Sequence, residues 1–68
     1  IEFNQIEIMS SSKIMIIEDN ENSKSVVQQP GTKEYLYRLI FEDKKSLRDF
    51  KKSIEDIKAI KKIDVNYL

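Results

Sequence analysis

Residues 35 to 50, "YLYRLIFEDKKSLRDF", change period halfway along, and few chains this short can satisfy both halves. Over residues 34 to 42 the side chains alternate. Tyr35, Tyr37, Leu39 and Phe41 share one face, and Leu36, Arg38, Ile40 and Glu42 the other. The first face is wholly apolar and the second half so, which is the pattern of a central strand whose second face is partly covered by a ligand, a second subunit or its own neighbours. From residue 46 the apolar residues return at helical spacing, with Leu47, Phe50, Ile54, Ile57 and Ile60 along one stripe. Ser46 followed by Asp49 reads as a capping box with a short acid. Lys51 with Glu55 and Lys52 with Asp56 lie four apart on the outer face, which reads as a solvated surface. Alternation resumes after Lys62, where Ile63, Val65 and Tyr67 share a strand face. A strand, helix and strand joined this tightly cross over right-handed and lie parallel in one sheet with the helix on one side.

The half that precedes this unit is predicted as a hairpin and a connection. In residues 2 to 9, Ile6 and Ile8 fall on one face and Phe3, Gln5, Glu7 and Met9 on the other, so the two isoleucines are the core candidates. "SSS" at 10 to 12 breaks the run and "KIMIIE" resumes a β-branched one, which predicts a β-hairpin over residues 1–18 closed by a serine turn. Residues 19–33 are polar and end on a Pro30-Gly31 turn signal, so they read as a long loop. Val26 and Val27 within that loop suggest an added strand at the sheet edge, because long structureless loops are uncommon in small domains. The expectation is a single small α+β domain over residues 1–68, a small mixed sheet of three or four strands covered by one helix in the order β-β-(β)-α-β, with residues 34–68 as the βαβ unit.

Sixty-eight residues sit near the size at which burial only just offsets chain entropy. A partner is therefore expected, either a second copy or other domains of a parent protein, and the start at Ile1 fits a piece of a larger chain. Twelve basic and twelve acidic residues cancel, which removes the electrostatic argument for nucleic acid or an anionic membrane. No apolar run is long enough to insert into a bilayer, and the expected location is cytoplasmic. With no cysteine and no histidine there is no disulfide framework, thiol nucleophile or imidazole base, and the common soft-metal ligands are missing.

The stretch "YLYRLIFED...SLRDFKKSIEDIKAIKKIDVNY" resembles the second half of an ACT-type, ferredoxin-like regulatory domain, in which a strand with a polar end leads into a leucine-spaced helix and then a hydrophobic strand. It is also similar to the soluble C-terminal domain that follows the membrane part of MgtC-type bacterial proteins. The resemblance covers residues 34 to 67 and implies a regulatory domain of a larger protein, in the MgtC case the cytosolic domain of a membrane protein. That family opens strand, helix, strand, with Pro-Gly before its first helix, whereas residues 1 to 33 here show no such helix. Pro30-Gly31 precedes a strand instead, so no ligand-binding residue is carried over.

Two functional readings follow. The first is a non-catalytic regulatory or oligomerisation module that pairs with itself or with a parent protein through sheet edges or the half-apolar face, with Leu36, Arg38 and Ile40 as interface candidates. Its plain competitor is that Leu36 and Ile40 are ordinary core beneath a loop. The second is a site for a small anion, phosphate or carboxylate, at the helix start, where Lys44, Lys45, Ser46 and Arg48 surround free backbone amides and cations stand at a positive helix end. An enzyme is the weakest reading. The acidic "EDNE" at 18 to 21 lacks the spacing and turn glycine of a calcium loop, so no metal and no cofactor is expected, and Tyr35, Tyr37 and Tyr67 read as core-edge aromatics.

Overall fold

Ile6 and Ile8 are fully buried, as their alternation requires, and they lie on one of the two inner strands of the sheet. The computed structural model describes residues 3–28, 31 and 33–68. Its elements run β1 (Asn4–Ser10), α1 (Met15–Glu18), β2 (Ser23–Gln28), β3 (Tyr35–Phe41), α2 (Lys44–Ile54) and β4 (Ile60–Asn66). The strands form one sheet in the order β2-β3-β1-β4. Glu2 and Pro30, which belong to the expected first strand and turn, lie outside the described residues. Gly31 has φ of 79°, in the left-handed region where a side chain is costly.

Every hydrogen-bonded neighbour pair in the sheet is antiparallel, in place of the expected mixed sheet. β3 and β4 do run parallel, because each pairs antiparallel with β1, but β1 separates them. The helix-linked pair is thus a split βαβ unit. A second strand-helix-strand unit, β1-α1-β2, completes the order βαββαβ, which is the ferredoxin-like arrangement with its first helix reduced to one turn.

That first turn corrects the expected hairpin over residues 1–18. The serine turn forms, with Ser10 Oγ donating to the Ser12 carbonyl at 2.7 Å and the Ser11 amide to the Ala59 carbonyl at 2.8 Å. The chain beyond it coils instead of pairing. Ile14 and Ile17 are buried while Met15 and Ile16 are 52% and 61% exposed, a spacing of three that only a helical turn provides. Residues 19–33, expected as a long loop, contain β2, and the edge strand suggested by Val26 and Val27 forms against β3.

Asp43, not Ser46, caps α2. Its Oδ1 accepts the Ser46 amide at 2.7 Å, and its extended backbone marks the residue before the first turn. The helix ends at Ile54, earlier than the apolar period predicts. Ile57 and Ile60 keep the stripe's rhythm because two turn hydrogen bonds, Ile57 amide to Ile54 carbonyl and Ile60 amide to Ile57 carbonyl, continue the winding. Ile60 already belongs to β4. Both helices lie on one side of the sheet, where Ile6, Ile8, Tyr37, Leu39 and Phe41 meet Ile14, Ile17, Leu47 and Ile54. The rings of Phe41 and Phe50 pack tilted with centroids 5.4 Å apart.

Candidate interaction surface

Helices cover only one face of the sheet, and the strand pairing fixes what the other face presents. One row across the strands reads Val27, Leu36, Met9, Lys62, and the next reads Ser25, Arg38, Glu7, Asp64. A third, over β3, β1 and β4, reads Ile40, Gln5, Asn66. The first row is apolar over three strands. The interface candidates Leu36, Arg38 and Ile40 therefore share this helix-free face, and Leu36 and Ile40 do not lie beneath a helix or in the buried core.

Met9, Val27 and Glu7 join that surface, although their sequence gave no reason to group them with β3. The alternation of β1 already placed Glu7 and Met9 away from the core. What it lacked was the register that sets Met9 opposite Leu36 and Glu7 opposite Arg38. Along this face Arg38 Nε donates to Gln5 Oε1 at 3.1 Å, and Gln5 Nε2 donates to Glu7 Oε1 at 3.2 Å. Gln5 thus relays Arg38 to Glu7. On the far side of Glu7 stands Asp64, a like charge directly opposite on β4, whose own cation partner is Lys62 at 3.6 Å. Positive charge on β3 faces negative charge on β1 and β4.

The two edges of the sheet differ. β4 carries Lys61, Lys62 and Asp64, all exposed, with a register shift opposite it between Met9 and Ser10. Charge and irregularity of this kind discourage further strand pairing. β2 has one lysine and two exposed valines, 43% and 49% accessible.

The anion candidates sit together at the start of α2, where their side chains and the Ser46 amide already have partners. The Asp43 carboxylate occupies the amide of Ser46, and that bond, a second one to the Ser46 side chain and the nearby Lys45 hold its carboxyl below the ordinary value. Lys45 pairs with Asp49 at 3.3 Å, which is the exposed i, i+4 pair on this helix. Lys44 and Arg48 both lie 5.7 Å from the Tyr67 ring centroid, each as a cation over an aromatic face. An added anion there meets a resident carboxylate.

Two shallow clefts adjoin this end of the sheet. One, of about 350 Å³, is lined by Phe3, Asn4, Lys24, Ile40, Glu42 and Leu68 among others. The other is walled by Glu21, Glu42 and Asp43 with Asn22 and Ser46. Among the described residues no group of three or more His, Cys, Asp or Glu is placed to hold a metal ion, so the acidic run at 18 to 21 does not gather into a cation site. Among them, too, no helix is long and apolar enough to cross a membrane. Comparison with protein-family models, with curated proteins and with solved structures returns no match.

Proposed function

We propose that this domain is a non-catalytic assembly module of a larger protein, and that its immediate partner is a second copy of itself. The helix-free face carries the reading. An apolar row of exposed Val27 and half-buried Leu36 and Met9, with half-buried Ile40 nearby, is covered by neither helix on a domain whose single core is small, and covering such a row removes the remaining apolar surface from water at about 25 cal/mol per Å². The ferredoxin-like order of the whole chain supports the resemblance to ACT-type regulatory domains more broadly than the second half alone did. On that resemblance the parent protein is regulated through this domain, and the MgtC-type case sets it on the cytosolic side of a membrane.

Sedimentation equilibrium over a concentration series tests the reading. A molar mass that climbs from monomer toward dimer supports it, and a strict monomer at the highest concentration reached removes self-association.

A further inference from the structure

Resting on that self-association, we infer that two copies pack their helix-free faces together about a two-fold axis that runs parallel to the strands, between β1 and β3. The pattern of side chains selects this axis. Rotation about a line along the strands carries β3 of one copy over β1 of the other and leaves each row of the face in register. Leu36 then lies over the partner copy's position 9, a methionine, and Ile40 over its position 5, the aliphatic stem of a glutamine. Arg38 lies over the Glu7 position of the second copy and Glu7 over its Arg38 position, so two ion pairs form symmetrically. A two-fold running across the strands does the opposite. Drawn through that same row it sets Arg38 on Arg38 and Glu7 on Glu7, which costs like-charge repulsion twice, and drawn between rows it sets both charges on Leu36 and Met9.

The monomer itself shows why a second cation fits. Glu7 has Asp64 directly opposite on one side, a destabilising cross-strand pair, and reaches Arg38 on the other side only through Gln5. A guanidinium arriving from above the sheet meets both carboxylates. The packing is the aligned kind, in which strand directions of two stacked sheets stay within about 30° and the faces about 10 Å apart. Four strands of seven residues or fewer, at about 4.8 Å spacing and about 3.3 Å per residue, offer a patch on the order of 400 Å² per partner, the low end for specific association. The dimer is therefore weak, reversible and favoured at low salt.

The test uses charge exchange in trans. Alone, Arg38→Glu brings carboxylates against the second copy's Glu7 twice, and Glu7→Arg brings two guanidinium pairs together, so each variant is expected to raise the dimer Kd by about tenfold or more. Mixed in equal amounts, the two variants carry complementary charges at both contacts and are expected to recover a heterodimer of near wild-type affinity, followed by sedimentation or by fluorescence transfer between labelled chains. No effect inside one chain produces that recovery. Leu36→Lys, which leaves Arg38 and Glu7 in place and puts a cation into the apolar row, is expected to monomerise the protein as well and serves if a charge variant fails to fold. A wild-type dimer that persists unchanged in Arg38→Glu and in Leu36→Lys places self-association elsewhere and overturns this geometry while keeping the assembly reading. Single variants that are monomeric but do not recover on mixing overturn the two-fold along the strands. A wild type that stays monomeric overturns both.

Discussion

The Tyr37 hydroxyl donates to Glu18 Oε2 at 2.9 Å and accepts the Ile14 amide at 2.9 Å, so one buried phenol on β3 holds both ends of α1. The helix has no side-chain cap of its own, and a single turn is too short to be stable from propensity alone. Tyr37 fills that deficit from the sheet, and Lys13, itself exposed, stands 3.8 Å from the half-buried Glu18 carboxylate.

Tyr37→Phe removes the donor and leaves the Ile14 amide without its acceptor, which is expected to lower stability by about 1–3 kcal/mol in urea unfolding. Alkaline titration gives a second readout. Burial, and after it the Glu18 carboxylate, raise the Tyr37 pKa above its ordinary 10.0, against the opposing bond from the Ile14 amide. The folded state then holds the phenolic proton more tightly than the unfolded chain does. Its contribution is complete below about pH 10 and is lost as pH rises through the higher folded value. Stability of the wild type should fall above pH 10 more steeply than that of Tyr37→Phe.

The two isoleucines at 16 and 17 separate a helical turn from a strand. Ile17 is fully buried against the core and Ile16 is mostly exposed, so Ile17→Ala is expected to cost about 2–5 kcal/mol and Ile16→Ala to stay within about 0.5 kcal/mol. Ile14→Ala should behave like Ile17→Ala, since both face the sheet. A hairpin would instead pair the effects of positions 14 and 16. Unfolding midpoints of the three variants settle it.

The second half of the domain was legible in its sequence because each element there has a period and a boundary of its own. The face that alternation named holds buried Tyr37, Leu39 and Phe41 with half-buried Tyr35, and the helical stripe holds buried Leu47 and Ile54 with half-buried Phe50, Ile57 and Ile60. In the first half, "KIMIIE" is too short to display a period and its β-branched residues favour strand, while what decides its conformation is Tyr37, more than twenty residues away. The same distance hid the open face. Leu36, Arg38 and Ile40 were visible from β3 alone, but Met9 and Glu7 become their neighbours only through a long-range register. Among the anion candidates the helical period gave no sign that Asp43, just before the lysines, takes the Ser46 amide as its cap.

That cap has its own acid signature. Asp43 accepts from the Ser46 amide and side chain, which depresses its pKa below 3.8, so its contribution is present above that value and is lost as pH falls through the folded one. Asp43→Ala is expected to lower the thermal midpoint at neutral pH. Asp43→Asn keeps an acceptor at the same place and should hold most of the neutral-pH stability while flattening the acid limb below about pH 4. Equal acid limbs in wild type and Asp43→Asn would show that the cap does not titrate as this geometry requires.

Asn4 closes this same end of the sheet and responds to pH in the other direction when replaced. Its buried Nδ2 donates to the Phe41 carbonyl at 3.5 Å and the Glu42 carbonyl at 3.2 Å, and its Oδ1 accepts the Leu68 amide at 2.8 Å. One side chain on β1 thereby ties the exit of β3 to the exit of β4. Asn4→Asp keeps the acceptor for Leu68 but turns the donor into a second oxygen facing two carbonyls, with loss of solvent around a new charge. The expected cost at neutral pH is about 1–3 kcal/mol, the range for leaving a buried polar group unmatched. Protonation restores an O–H donor, so the new carboxyl has a raised pKa in the folded state and the variant regains stability as pH falls from 7 toward 4. Asn4→Ala carries no proton and should cost a similar amount at every pH in that window. Parallel urea titrations of the two variants at pH 4 and pH 7 check this, and a pH-independent Asn4→Asp would mean that water reaches the new charge.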